Sequence, residues 1–415
     1  MDKATNDSRI GICAIFKNEG PYILEWLAFH RVVGIDEFFI ADNDSNDKSS
    51  ELLAELDRLG LIRLLKFPTP PNEAPQLPAY RTLMQKYGSA VDWVAFIDAD
   101  EFLIPANSES LKGALDDILN NSKQAGAIAV NWASYGSAGK TEYDPELVIK
   151  RFERRGEKDF GVNRHYKSVV STKAYATTDE NPHLFSLHAG FEYVDTTGKV
   201  LEGDEKGIKG LSKDVCWDNL RLNHYIIKSY GEFLFKKNRG RATVKNNAGL
   251  DRNINFFHAH DVNSEHEEVS EDLITKTRAE LASIKAMLAG EGVDPQVISI
   301  APGKIPNIRV AVDQTSVSSK CLTVIGWAFA DDISEIKYSL GIGGQDISFE
   351  TVDRIDRPDV ATHIKEAPVQ CGFSLKISTG SVAVELRGAE AFLRMHTNGY
   401  VQAVSIGKLP FGEIE

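Results

Sequence analysis

The stretch WVAFIDADEFLIP, residues 93–105, sets three carboxylates, Asp98, Asp100 and Glu101, at the end of an apolar run that resumes at once. Acids this close against apolar flanks repel one another and lose solvation, so a cation must offset the cost. Side chains alternate along a strand, so the two aspartates of an Asp-x-Asp at a strand end fall on one side. That suits a divalent cation. Mg²⁺ or Mn²⁺ held by one or two carboxylates completes its shell with water and phosphate oxygens. A solvated turn would use the same residues, but the strand before and Phe102-Leu103 after half enclose this one.

Two further clusters follow strands. FKNEGP brings Lys17, Asn18 and Glu19, with Lys17 a candidate for a phosphate. IADNDSNDKS brings Asp42, the candidate for a ribose or base contact, while Asp47 or Ser49 suits a helix cap. A third group, LRLNHYIIKSYGEFLFKKNRGR, is a basic island in an acidic chain. Lys228, Lys236, Lys237, Arg239 and Arg241 suit phosphates. His224 precedes them and becomes a third metal ligand if the chain folds back over the acids; a buried core histidine is the plainer alternative.

The elements that must position these residues alternate. Strands are expected at 9–16, 36–42, 61–67, 92–97 and 127–133, and helices at 18–34, 49–60, 79–88 and 110–121. Such a rhythm means a mainly parallel α/β sheet with helices on both faces, whose ligands bind beyond the carboxyl ends of the strands. The polar clusters sit at those ends and should converge. From 135 to 260 the pattern loosens, with a Gly/Asp/Lys-rich loop at 198–214. A helix follows at 270–289. The division expected is a domain over 1–290, a proline-rich linker over 291–306, and an all-β sandwich over 307–415.

The bulk properties fit. The 415 residues are 42% hydrophobic and 26% charged, as in a soluble globular protein of two or three domains. The net charge of −13 argues against a general nucleic-acid binder but leaves room for one local phosphate site. No apolar run approaches the roughly 20 residues of a spanning helix. The polar start reads as cytoplasmic, with peripheral membrane association left open. The four cysteines, Cys13, Cys216, Cys321 and Cys371, lack CxxC spacing and are expected as free thiols. Neither GxxxxGK[ST] nor GxGxxG is present, which disfavours an NTPase.

The order FKNEGPYILEWLAFHRVVGIDEFFIADNDSNDKS, PPNEAPQLPAYR, WVAFIDADEFL, NWASYGSAG and LNHYIIKSYGEFLFKKNRG resembles bacterial glycosyltransferases of the family 2 type, in the branch related to glycosyltransferase family 92. The resemblance covers roughly residues 9–260. It implies a GT-A fold, a nucleotide-sugar donor (a UDP-sugar in the relatives) and inversion at the anomeric carbon. It implies Mn²⁺ or Mg²⁺ at Asp98 and Asp100, with His224 as the candidate third ligand. The acceptor, a glycan or glycolipid, would meet NWASYGSAG, with Trp132 stacking on a sugar and Ser134 and Gly136 beside it. Gln76 and Tyr80 would stand near the donor. Inversion needs a general base, expected as an acid downstream of the metal site. Glu192, Asp195, Asp204 and Asp218 are candidates, with His188 as an outsider, and the sequence does not choose among them. A nucleotidyltransferase is the alternative enzyme; it would want a Gly-rich basic signature where FKNEGP stands. A non-catalytic glycan-binding protein is the other alternative, which intact Asp98, Asp100 and His224 disfavour.

Overall fold

The computed structural model describes residues 8–70, 73–108, 110–238, 254–302, 308–318, 320–330, 336–342, 345–364, 367–382, 388–397 and 400–408. Arg239 and Arg241, two of the basic-island candidates, lie outside them. The chain divides into two compact units, Met1–Pro302 and Gly303–Glu415.

The first unit begins with the expected alternation: β1 (Ile10–Phe16), α1 (Gly20–Val32), β2 (Glu37–Asp42), α2 (Ser49–Arg58), β3 (Arg63–Lys66), α3 (Gln76–Tyr87) and β4 (Trp93–Phe96). Helix α1 starts with Pro21 in its first turn, where a missing N–H costs nothing. It is apolar almost all round and correspondingly buried from Tyr22 to His30. Helix α2 buries only the stripe Leu52, Leu53 and Leu56, and Gly60 at φ 71° takes the left-handed turn that ends this segment. Strands β3, β2, β1 and β4 lie side by side and parallel.

Beyond β4 the chain departs from the simple rhythm. The apolar residues after Asp100 form a separate strand, β5 (Glu101–Pro105), followed by α4 (Leu111–Asn121) and β6 (Ala125–Ser134). Then come α5 (Val148–Arg151), β7 (Arg154–Arg155), β8 (Tyr166–Ser171), β9 (Tyr175–Asn181), β10 (Leu184–Leu187), β11 (Glu192–Val194) and β12 (Leu220–His224). The unit ends with α6 (Tyr230–Asn238), α7 (Ile254–His260), β13 (Glu265–His266), α8 (Glu271–Gly290) and α9 (Pro295–Ile298).

The sheet runs β3-β2-β1-β4-β8-β6-β12-β5, with β11 beside β6. Strand β6 was expected as the fifth parallel neighbour. Instead β8 inserts between β4 and β6, antiparallel to both. Two reversals leave β6 running the same way as β4, and β12 is parallel to β6. The carboxyl ends of β1, β2, β4, β6 and β12 therefore share one edge of the sheet. The starts of the antiparallel strands β8 and β5 arrive at that same edge.

Residues 291–302, expected as linker, fold with the first unit. Asp294 caps α9 by accepting from Gln296 N at 2.8 Å, and Val297 is buried in the main core. The second unit has β14 (Ile308–Val317), β15 (Cys321–Ala330), β16 (Lys337–Ile342), β17 (Gln345–Ser348), β18 (Thr351–Ile355), α10 (Pro358–His363), β19 (Gly372–Ser378), β20 (Glu390–Thr397) and β21 (Tyr400–Lys408). Two four-stranded antiparallel sheets, β14-β15-β19-β18 and β17-β16-β20-β21, share a core of Leu322, Val324, Leu340, Phe373, Leu375 and Leu393. Alternating apolar residues on short strands account for this arrangement.

Candidate active site

The turn Asp98–Asp100 leaves β4 beneath α1, where Trp26 Nε1 donates to the backbone oxygens of Asp98, at 3.2 Å, and Glu101, at 3.0 Å. Two buried lysines compensate the three acids. Lys167, second residue of β8, places Nζ 2.9 Å from Asp98 Oδ2 and 3.5 Å from Glu101 Oε2. Lys236, from α6, contacts Asp100 Oδ2 and donates to Ile226 O at 2.7 Å. Burial alone would raise the Asp98 carboxyl, and Lys167 outweighs it, so Asp98 stays below its ordinary range. Burial likewise opposes ionised Asp100, and Lys236 and His224 pull it well below the ordinary range. Glu101 has less help. Burial, with Asp98 and Asp100 beside it, pushes it up to about 8 against the pull of Lys167.

Several expected site residues join this cluster. Gln76 Nε2 donates to Asp98 Oδ1 at 3.1 Å and to Tyr80 Oη at 3.0 Å. His224, at the end of β12, holds Nε2 3.7 Å from Asp100 Oδ2. Lys228 is buried with φ 56°, its Nζ 4.1 Å from the Tyr22 ring centroid, and its charge helps hold Asp100 ionised. Below it lies a pair not singled out in the sequence. Arg151 grips Glu232 through two bonds, of 2.8 and 2.9 Å, while Tyr22 Oη donates to Glu232 at 3.0 Å.

A donor set of two carboxylates and an imidazole is one that Mn²⁺ accepts. Asp100 and His224 face each other closely enough to share one ion. Asp98 is turned toward Lys167 and Gln76, with its side chain 37% exposed. For one cation to reach all three, Lys236 would have to yield part of its hold on Asp100, and Asp98 would have to turn from Lys167 and Gln76.

Four buried polar atoms around these acids have no hydrogen-bond partner among the described residues: Gln76 Oε1, Glu101 Oε1, Trp132 Nε1 and His224 Nδ1. Buried polar groups are normally satisfied, so their gathering at one edge of the sheet marks a place where a polar ligand or water belongs.

The β1 and β2 loops are knitted together at the same edge. Asn18, at φ 52°, donates its backbone N–H to Ser45 Oγ at 3.0 Å, and its Oδ1 accepts from Asn46 N at 2.8 Å. Glu19 is buried beside them, and Lys17 is half-buried. Asp42, expected to contact a nucleotide, spends its oxygens inside the loop, accepting from Ser45 N at 3.3 Å and from Ser50 Oγ. Asp47 accepts from Gly20 N at 3.2 Å and Ser49 N at 3.0 Å, joining the starts of α1 and α2.

The acceptor expectations need correction. Trp132 does not offer an open face for a sugar. His165 stacks on it at 4.8 Å and His224 packs at 4.3 Å. Ser134 is fully buried in β6. Gly136 is a packing position, where a Cβ would stand 2.4 Å from Val262 O. Of the base candidates, Glu192 and His188 stand away from the acids, and the others are engaged in local bonds. Strand β11 pairs Glu192 with Ala125, at the start of β6, about 23 Å along the strand from Trp132. His188 is exposed and bonded to Ala174, near the far end of β8. Asp204 is tied to Arg164 and to Lys206 N, and Asp195 caps its own turn through Thr197 and Lys199. Asp218 accepts from Cys216 Sγ.

Lys167, His165 and His183 escaped the sequence reading. They enter at the start of β8 and in the turn after β9, whose pairing with β4 and β6 leaves no local signature. The one available signal was polarity within an otherwise apolar strand, HYKSVVS.

Residues 9–200 match the model of Glycosyltransferase family 92. A family 92 protein of Ricinus communis is 26% identical over 191 residues, covering 46% of this chain and 34% of that one. One from Oryza sativa subsp. japonica is 28% identical over 191 residues, covering 44% and 30%. The chain thus spans about a third of the length of these relatives. Among solved structures, S. aureus TarS aligns at a TM-score of 0.30 and 9% identity over 96% of this chain and 77% of that one. The matched segment holds β1 to β11 with Asp98, Asp100 and Lys167, while His224, Lys228 and Lys236 lie beyond it. From β1 to β11, this chain is similar to glycosyltransferase family 92.

Proposed function

We propose that the chain is a metal-dependent, inverting glycosyltransferase that moves a sugar from a nucleotide-sugar, of the UDP-sugar class, to a glycan or glycolipid. The observation that carries this reading is the meeting of Asp98, Asp100, His224 and three buried lysines at the carboxyl edge of a family 92-like sheet. Asp98, Asp100 and His224 would hold Mn²⁺ or Mg²⁺, which when bound supplies Lewis-acid neutralisation of a diphosphate. Lys228 and Lys236 face the same place and would take the remaining phosphate charge. Lys167 keeps Asp98 ionised and fixes its direction. Gln76 holds the other Asp98 oxygen, so the carboxylate is oriented before any ligand arrives.

Release of UDP from UDP-glucose, UDP-galactose and UDP-N-acetylglucosamine, with simple glycosides as acceptors and Mn²⁺ present, tests the reading. Turnover with one donor that falls at least about 100-fold in Asp100→Asn supports it. Full activity in Asp100→Asn would remove the metal site from the account. Inactivity with every donor, together with retained glycan binding, would favour a non-catalytic scaffold.

A further inference from the structure

Resting on the glycosyltransferase reading, we propose that His165 Nε2 is the general base that takes the proton of the acceptor hydroxyl. Three imidazoles surround Trp132: His165 stacked at 18° with centroids 4.8 Å apart, His183 edge-on at 5.5 Å, and His224 tilted at 4.3 Å. Trp132 is nine-tenths buried, and among the described residues its Nε1 has no partner, nor has Nδ1 of buried His224. A polar group therefore belongs in this nest, one ring away from the acids.

Of the three, His165 has the geometry of a base. Its Nδ1 lies 3.0 Å from Val162 O. A carbonyl only accepts, so Nδ1 carries the hydrogen and Nε2 keeps the lone pair. The residue is only half-buried. The Trp132 face beneath it would stabilise the imidazolium that forms. The charged and titratable groups around it are Arg164, whose guanidinium is held by Asp204, and His183, with its ring 6.0 Å away. Burial first, and then Arg164, lower its affinity for a proton, which keeps the free imidazole neutral and ready. His183 has the same tautomer, with Nδ1 2.7 Å from Tyr166 O. Burial and neighbouring Lys167, however, hold it at about 3, too weak a base for this step. His224 turns Nε2 to Asp100.

The step balances without another reactant. The acceptor O–H bond breaks as N–H forms on His165. The acceptor oxygen bonds the anomeric carbon as the bond from that carbon to the phosphate oxygen breaks, and its electron pair leaves with the diphosphate.

The test uses the full chain, His165→Gln and His165→Ala, with the three UDP-sugars above and water or simple glycosides as acceptor. Wild type should lose kcat/KM as pH falls below the ordinary imidazole range, because the proton affinity of His165 is lowered. Both variants should lose about 100-fold or more in kcat and lack that acidic limb. UDP binding, followed by thermal shift, should be unchanged, which separates a chemical role from misfolding. Variants that keep wild-type kcat, or the same acidic limb, overturn the assignment of His165 and leave the transferase reading standing. A wild-type chain that turns over no donor overturns both.

Discussion

The side chain on which the charge balance at the turn depends is Lys167. Its ammonium is buried between Asp98 and Glu101, and removing one partner of a buried ion pair strands the other. Lys167→Met should therefore cost about 3 kcal/mol, less than the fully buried maximum because Asp98 is 37% exposed. Urea unfolding of the variant checks this, and a cost below about 0.5 kcal/mol would show that the pair is not formed. The acids, His224 and Lys236 were legible in the sequence, because each stands at a strand end or next to an unusual charge run, whereas Gln76 and Tyr80, on α3, were expected only from the family resemblance. Lys167 and His165 were not, because an antiparallel strand brings them in at its start, and the rule that ligands sit at carboxyl ends passes over them. Trp132 and Gly136 were misjudged for another reason. The family resemblance implied an acceptor-facing position, and long-range packing against His165, His224 and Val262 buries them.

At the scale of elements, two contacts fix how the later chain closes over the sheet. Helix α6 is pinned by Glu232, which takes two bonds from Arg151 of α5 and one from Tyr22 of α1. Glu232→Gln would leave the Arg151 guanidinium buried without its carboxylate and should destabilise by about 3–5 kcal/mol. Because α6 also carries Lys236, nucleotide affinity should weaken with it. Equilibrium unfolding together with UDP titration reads both effects, and a variant as stable as wild type would contradict the pinning. The loop after β6 depends on Gly136, where a methyl group meets the Val262 backbone carbonyl. Gly136→Ala should cost about 1–3 kcal/mol, checked by the same unfolding measurement. The first four strands and three helices were readable because α/β periodicity is local. The insertion of β8 between β4 and β6 was not, because register between distant strands is set by partners that no short window contains.

For the whole molecule, the two units have separate cores, so the chain ended at residue 302 should fold and keep its nucleotide affinity. Loss of cooperative unfolding in that truncated chain would contradict this. Stability should also depend on pH through Glu25. Burial raises its carboxyl from 4.5 to about 7, although Val148 N and Ile149 N donate to it at 2.8 and 3.2 Å. A raised carboxyl favours the fold in its protonated form. Its contribution is complete below pH 4.5 and fades as pH rises to about 7, by up to about 3 kcal/mol. The stability of wild type relative to Glu25→Gln, measured by denaturant titration across that range, should fall with rising pH; a flat difference would contradict it. The central claim is that Asp98, Asp100, His224 and the lysines form one site for a nucleotide diphosphate with its cation. The most direct test is thermal unfolding with UDP, GDP and CDP, each with Mn²⁺ and with EDTA. The account predicts that one nucleotide, at 100 times its Kd, stabilises the fold by about 2.7 kcal/mol with Mn²⁺ and loses most of that in EDTA. No stabilisation by any nucleotide, or an identical shift in EDTA and in Asp100→Asn, would contradict it.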